Sequence, residues 1–238
     1  CEDTRRAKKL TDYFSISTPL KSYFVGNEFN KINEIEAALS EGKDIALISD
    51  AGTPLISDPG NELIQHLISK NFNIVSIPGP SSVLTALTVS GFEINEFQFL
   101  GFIPKGGKEK YEFVVKLINS NSVSVCFTSP KRLVKDLDYF EKEGLDSELV
   151  ICRELTKKFE TIYRGTAKSV KNKLPENLKG EITIVVGPSQ SDEEIDIDLD
   201  EAIKILLEQK VPKRELAKSL SLLTNLSVNE LYERVKNL

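Results

Sequence analysis

Apolar and polar positions alternate along this chain in a repeating strand–helix order. Short apolar runs predict strands at Ser22–Val25, Asp44–Ser49, Asn73–Ile77, Glu96–Ile103, Ser122–Phe127, Glu148–Arg153 and Glu181–Val186. Between them, apolar residues recur at helical spacing over Asp3–Tyr13, Asn30–Glu41, Asn61–Lys70, Ser81–Ser90, Lys108–Asn119 and Pro130–Glu143. This order implies an α/β architecture with largely parallel strands. The runs 44–49 and 122–127 are apolar along much of their length, as expected where both faces of a sheet are covered. A small helix ends at Gly91 and an aromatic strand follows, which divides the body into domains at 1–93 and 94–188. Residues 189–198 are polar and acidic and read as a linker. In the tail, 199–238, Asp198 with Glu201 and Ser227 with Glu230 have capping-box spacing, and Pro212 suits the first turn of the helix between them. These short helices form either a helix-turn-helix-like module or a tail packed on the body or on a partner subunit.

Three loops share one construction. Asp44–Ser49 ends in Asp50-Ala51-Gly52-Thr53-Pro54 and then Ser57-Asp58-Pro59-Gly60; Asn73–Ile77 ends in Pro78-Gly79-Pro80-Ser81-Ser82; Ser122–Phe127 ends in Thr128-Ser129-Pro130. Each places small hydroxyl or glycine residues at the carboxyl end of a strand, directly before a helix. In open α/β sheets such ends line a common crevice that holds ligands. Asp50 adds a carboxylate there, Gly52 allows close approach and Thr53 adds a hydroxyl. Asp58 as N-cap, with Pro59 at the first helical position, is expected to start the next helix.

Composition narrows the chemistry. With 40% hydrophobic and 28% charged residues over 238 positions, the chain has enough apolar side chains for one large or two modest cores. The single histidine, His66, falls inside a helical stretch, which leaves a Ser–His–Asp triad or a multi-histidine zinc site without its parts. Cys1, Cys126 and Cys152 have no metal-ligand spacing; the last two fall in apolar runs and are expected in buried strands of a cytoplasmic protein. No apolar run approaches membrane-spanning length. A net charge of −5 argues against wholesale nonspecific nucleic-acid binding. Local basic clusters remain, at Arg5, Arg6, Lys8 and Lys9 and at Lys131, Arg132 and Lys135; ringing one cleft, they would suit an RNA backbone. A P-loop around Gly107-Lys108 fails, since it needs glycine at Phe102 and Ser or Thr at Glu109. Lys105–Lys110 reads instead as a flexible basic loop.

Five motifs in order carry a resemblance: Glu2-Asp3-Thr4-Arg5, Ser49-Asp50-Ala51-Gly52-Thr53-Pro54, Ser57-Asp58-Pro59-Gly60, Pro78-Gly79-Pro80-Ser81-Ser82 and Arg153-Glu154-Leu155-Thr156-Lys157. With them the chain resembles the ribosomal RNA small subunit methyltransferase I family, cytidine 2′-O-ribose methyltransferases of the tetrapyrrole-methylase-like class. The resemblance runs from Cys1 to about Val186, and the stretch 211–235 is similar to the family's helical module. It implies two α/β domains with S-adenosylmethionine in the cleft between them, a homodimer, and small-subunit ribosomal RNA in the assembled 30S subunit as substrate. Donor-site residues carried over by motif are Asp50, Gly52, Thr53, Ser81, Ser82 and Val83, with Thr128, Leu155, Gly180, Glu181 and Ile182 from the second domain. Glu2, Asp3, Arg5 and Arg153 are the catalytic or RNA-side candidates, with no metal.

Family members begin with a strand and a Thr-Pro-Ile-Gly-Asn loop, so such a segment is expected ahead of the charged start at Cys1-Glu2-Asp3. Two positions depart from the family's pattern. Phe24-Val25-Gly26 stands where His-Glu usually precedes Asn-Glu, and Thr128-Ser129-Pro130-Lys131-Arg132 replaces Glu-Ser-Pro-His-Arg. Two other readings share the fold: methylation of a tetrapyrrole or protein side chain, and an inactive RNA- or ribosome-binding protein.

Overall fold

Five strands, β1 (Phe97–Phe102), β2 (Val123–Thr128), β3 (Leu149–Arg153), β4 (Thr161–Gly165) and β5 (Ile182–Val186), form one sheet in the order β1-β2-β5-β3-β4. The computed structural model describes residues 1–24, 26–189, 199–208, 211–221 and 226–237. Strand β5 lies at the centre because Ile-Thr-Ile-Val-Val is buried at every position, so it is covered on both faces. Ile182, Ile184 and Val186 face a core shared with helices α5 (Gly107–Ile118), α6 (Pro130–Lys142) and α7 (Ala167–Lys171). Val185 faces the opposite side with Val123, Val125, Val150 and Cys152, under Val83, Ala86 and Leu87 of α4 (Ser82–Ser90). Each fully buried Val, Leu or Ile contributes about 1.5–3 kcal/mol, which makes this two-faced core the main support of the strand ends.

The remaining helices of this part are α1 (Thr4–Tyr13), α2 (Glu28–Ser40) and α3 (Asn61–Ser69). Leu63 and Leu67 of α3 form a small cluster with buried Tyr23, packed by Ile32, Ile35 and Leu39 of α2. The helical expectations agree with these elements to within a few residues, while the sheet differs. Only the β1–β2 pairing is parallel; β2–β5, β5–β3 and β3–β4 are antiparallel. The Thr161–Gly165 strand lies beside β3 and makes the hairpin-like antiparallel edge. Its Thr-Ile-Tyr run is the strand signal that the sequence reading passed over.

Two expected strands, 44–49 and 73–77, form no ladder among the described residues. A strand exists only through a hydrogen-bonded neighbour, which alternation alone does not supply. Ile45, Ile74, Val75 and Ile77 are accordingly exposed. In the third such run, 22–25, Ser22–Phe24 are likewise outside any ladder, and Val25 lies outside the described residues.

The chain divides into two compact units, Cys1–Ser189 and Gln190–Leu238. In the second unit α8 (Leu199–Glu208), α9 (Lys213–Ser221) and α10 (Val228–Asn237) enclose Ile203, Leu216, Ala217, Leu220, Leu231 and Val235. The capping box at α10 is formed: Glu230 N–H donates to Ser227 Oγ at 3.3 Å, and Ser227 N–H donates to Glu230 Oε2 at 2.8 Å. The Pro212 carbonyl accepts from Leu216 N–H at 2.9 Å at the start of α9. Asp198 and the expected linker from residue 190 onward lie outside the described residues. No helix of the described residues is long and apolar enough to cross a membrane.

Candidate functional site

The loop after residue 49 is folded by its own side chains. Ser49 Oγ lies 2.9 Å from Ala51 O and 2.6 Å from Asp58 Oδ2, and it accepts from Ala51 N–H at 3.1 Å. Asp58 is therefore held inside the loop. It does not cap α3; Gly60, at φ 129°, is the N-cap. That φ is one a residue with a side chain rarely adopts, and an added Cβ would also have to push Leu55 Cδ2 aside from 2.7 Å, so glycine is favoured there. Asp50 faces α1: Oδ1 accepts from Asp3 N–H at 3.3 Å, and Oδ2 is 3.5 Å from Arg6 Nε. Thr53 Oγ1 donates to Pro80 O at 3.0 Å, which laces the first two loops together. Ser81 begins α4 as an N-cap, accepting from Leu84 N–H at 3.3 Å.

The second half contributes the ends of β2, β3 and β5. Thr128 ends β2 opposite Ile182. After β3, Glu154 and Thr156 take left-handed backbone, at φ 52° and 64°, as do Leu55 and Ser57 in the first loop. Such conformations cost about 1–3 kcal/mol each at non-glycine residues and cluster where surroundings over-determine them. Here the over-determining contacts are visible. Glu154 Oε1 accepts from Lys157 Nζ and from Glu181 N–H, both at 2.9 Å, and Glu154 N–H donates to Glu181 O at 3.0 Å. The Lys157 ammonium and the Glu181 N–H hold the Glu154 carboxyl below the usual range.

Gly180 is locked beneath this carboxylate. At φ 103° an added Cβ would lie 2.4 Å from Glu154 Cγ. Gly180→Ala is expected to lower unfolding stability by about 1–3 kcal/mol through backbone strain and displacement of Glu154. Urea unfolding followed by far-ultraviolet circular dichroism reads this; an unchanged midpoint would show that the loop relaxes freely.

These loops enclose one cavity of about 560 Å³. Asp50, Gly52, Thr53, Ser81, Ser82 and Val83 line one side; Thr128, Leu155, Gly180, Glu181 and Ile182 line the other. Every donor-site residue read from the sequence is thus brought to a single space. The catalytic candidates separate. Glu2 lines the cavity. Asp3 instead caps α1 and is bonded by Arg5 Nε and Nη2 at 3.0 and 2.7 Å, so Asp3 and Arg5 occupy one another. Arg153 donates to Lys179 O and Phe159 O, bracing the strained loop from outside the cavity. Arg6, Phe102, Phe127 and Cys152 also line the space and were not singled out as site residues. Their presence depends on which distant elements meet, a matter no local motif carries.

The basic clusters are mostly used structurally. Lys8 pairs with Asp12 at 2.5 Å, and Arg132 donates to Pro104 O at 2.7 Å. Lys110, expected in a flexible basic loop, lies in α5 and is buried against Asp136 at 2.7 Å. Helix α5 begins at Gly107, one residue before the expected helix start at Lys108, and turns Lys110 inward, so the loop reading of Lys105–Lys110 fails over its second half. His66 is a partly exposed residue of α3, as expected, 2.5 Å from Glu36 Oε2. The three cysteines are free and buried. Burial pushes the Cys152 thiol up to about 11 and raises Cys126 further, so neither is a thiolate nucleophile at neutral pH.

Comparison with known proteins agrees with this geometry. The family model of tetrapyrrole (corrin/porphyrin) methylases matches residues 1–171. The ribosomal RNA small subunit methyltransferase I of Mycoplasmopsis pulmonis is 42% identical over 187 residues, covering 78% of this chain and 83% of that protein. Its namesake from Bacillus subtilis is 34% identical over 241 residues, covering 98% and 82%. Among solved structures, a diphthine synthase superposes with a TM-score of 0.60 at 13% identity, over 76% of this chain and 73% of that one. A Thermus thermophilus uroporphyrin-III C-methyltransferase complexed with S-adenosylhomocysteine superposes at 0.50 and 14% identity, over 73% and 80%. With the family model spanning most of the first unit and relatives this similar covering most of both chains, the protein belongs to the tetrapyrrole methylase family and, within it, to the ribosomal RNA small subunit methyltransferase I group.

Proposed function

We propose that the protein transfers a methyl group from S-adenosylmethionine to the ribose 2′-hydroxyl of a cytidine in small-subunit ribosomal RNA. The observation that carries this reading is the convergence of loop motifs from both halves of the first unit on one 560 Å³ cavity. That volume is in the range of nucleoside-sized ligand sites. Its lining also fits such a ligand, with a carboxylate at Asp50, hydroxyls at Thr53 and Ser81, and apolar cover from Val83, Leu155 and Ile182. The cofactor supplies, when bound, a methyl group already activated by its sulfonium. The protein's own contribution is then alignment, worth about 7–11 kcal/mol where two reactants are held in line.

Glu2 is the residue of this cleft best suited to accept the hydroxyl proton. Burial raises its carboxyl above the ordinary value, helped by the nearby Asp58 and Asp50 carboxylates, and a raised pKa makes the ionised form a better proton acceptor. Arg6, 3.5 Å from Asp50 and in the same lining, supplies positive charge beside the developing alkoxide. Asp3, Arg5 and Arg153 hold the flanking elements that shape the RNA side. The reaction takes place in the cytoplasm on the assembled 30S subunit, with the enzyme as a homodimer. The exposed side chains of Leu10, Tyr13, Phe14 and Ile16 at the end of α1 support a subunit contact.

The test is methyl transfer from labelled S-adenosylmethionine to unmethylated small ribosomal subunits. Alkali-resistant label at one cytidine ribose is expected; label on a protein or on no ribosomal component would overturn the substrate assignment. In the same preparation Asp50→Ala and Gly52→Val are each expected to weaken donor binding about tenfold or more, the scale of a lost charged hydrogen-bond site. Gly52 has φ 79°, which a β-branched residue does not tolerate. Unchanged affinity in both variants would remove the donor from this cleft.

A further inference from the structure

Asp136 lies outside the cavity, and its polar contacts are all with donors. Its side chain is 1% exposed within α6, and Lys110 Nζ (2.7 Å) and Arg132 Nη2 (3.3 Å) both donate to Oδ1. The other oxygen, Oδ2, accepts from Thr128 Oγ1 at 2.5 Å. Lys110 Nζ is further fixed over the Tyr139 ring at 4.7 Å, and Arg132 by Pro104 O. An ionised carboxylate only accepts hydrogen bonds, and a threonine hydroxyl has one proton to give. Thr128 therefore spends that proton on Asp136. Thr128 also ends β2 in the wall of the cavity. What its hydroxyl has left for a ligand there is lone pairs, with no O–H.

We propose that Asp136 is a positioning residue for the cavity: by taking the Thr128 proton, it sets Thr128 as a hydrogen-bond acceptor at the end of β2 and so selects ligands that offer an N–H or O–H at that point. Lys110 and Arg132 keep the carboxylate in place and leave it Oδ2 for Thr128. The inference rests on the reading that the methyl donor occupies this cleft. Asp136 acts wholly through Thr128, and that separates positioning from ordinary structural support. A buried residue that merely holds the fold would affect binding whether or not the hydroxyl were present.

The experiment is calorimetric titration of the full chain with S-adenosylhomocysteine, for the parent, Thr128→Ser, Thr128→Val, Asp136→Asn, the Thr128→Val/Asp136→Asn pair, and Asp50→Ala. An asparagine at 136 can donate its amide to Thr128 and turn the hydroxyl proton toward the cavity, reversing its polarity. Thr128→Ser is expected to bind within about threefold of the parent, and Thr128→Val and Asp136→Asn each about tenfold more weakly, the scale of one lost buried hydrogen bond. The double variant is expected to bind no more weakly than Thr128→Val alone. An Asp136→Asn penalty of the same size in both backgrounds would overturn the proposal in favour of a structural role. Parent-like binding by Thr128→Val, with Asp50→Ala weakened, would overturn it and leave the cleft reading standing. Parent-like binding by both Thr128→Val and Asp50→Ala would overturn the two together. If Asp136→Asn does not fold, Asp136→Glu, which keeps the charge but shifts the carboxylate away from Oγ1, serves in the same cycle with the same outcomes.

Discussion

Replacing Glu2 with glutamine is expected to lower kcat for methyl transfer by about 10²–10⁴-fold, the usual worth of a positioned general base. Donor affinity is expected to change little, because the amide keeps the shape of the side chain and Asp50 keeps its contacts with Asp3 N–H and Arg6. The pH profile is the sharper reading. Burial and the neighbouring Asp58 and Asp50 carboxylates raise the Glu2 carboxyl above its ordinary value. The ionised form is the base, so activity rises with pH through that raised pKa and the acid limb lies above the ordinary glutamate value of about 4.3. Stability responds with the opposite sign. A carboxyl harder to ionise in the folded than in the unfolded chain contributes stability below its unfolded pKa and loses it as pH rises through the folded one. Glu2 thus gains catalytic competence over the window in which it gives up stabilisation, as expected of a group placed for chemistry. Measuring kcat against pH for the parent and Glu2→Gln decides the matter. An acid limb that survives in Glu2→Gln, or a kcat within about fivefold of the parent, would assign the proton to another group.

The helices of this fold were legible because their signals are local. Ser81 caps α4 with its own hydroxyl, Pro130 begins α6, and Ser227 with Glu230 closes the first turn of α10. Each of these needs only its own neighbours in the chain. Strands are a different kind of object. Residues 44–49 and 123–128 carry similar apolar runs, yet only the second has partners on both sides, β1 and β5. The parallel expectation failed for a related reason. Strand–helix alternation implies βαβ crossovers, but β3 and β4 follow one another without a helix and pair antiparallel, and β5 inserts between β2 and β3. Small, acidic and hydroxyl residues in a loop before a helix are a local signal, one that holds even after 44–49 and 73–77, where no ladder forms among the described residues. The cavity-lining residues Asp50, Gly52, Thr53, Ser81, Ser82 and Thr128 were therefore readable ahead of the structure. Arg6, Phe102 and Phe127 were not, since a side chain reaches the cavity only when helix α1, strand β1 and strand β2 meet there. Lys110 was misplaced because it closes the charged, glycine-containing run Lys105-Gly106-Gly107-Lys108-Glu109-Lys110, which looks solvated; its partner, Asp136, is 26 residues away.

That misplaced lysine carries the largest expected effect on stability. Lys110→Met is expected to lower the unfolding free energy by about 3 kcal/mol, the low end of the 3–5 kcal/mol cost of removing one partner of a buried ion pair. The low end applies because Asp136 keeps Arg132 at 3.3 Å and the Thr128 hydroxyl, so its charge is not left bare. The loss comes from a carboxylate that is 0% exposed and has given up its shorter charged contact, the Lys110 ammonium at 2.7 Å. The pair itself need not be stabilising. The double variant Lys110→Met/Asp136→Leu removes both charges and is expected to recover to within about 1–2 kcal/mol of the parent, as apolar replacements of buried pairs do. The chain has no tryptophan, so unfolding in urea is best followed by far-ultraviolet circular dichroism, comparing midpoints at an unchanged slope. A Lys110→Met loss below about 1 kcal/mol would mean that Arg132 alone neutralises Asp136. A double variant that is stable but binds S-adenosylhomocysteine about tenfold more weakly is the expected pairing of results, since on the proposed reading Asp136 positions Thr128 for the ligand while the fold stands without the charges.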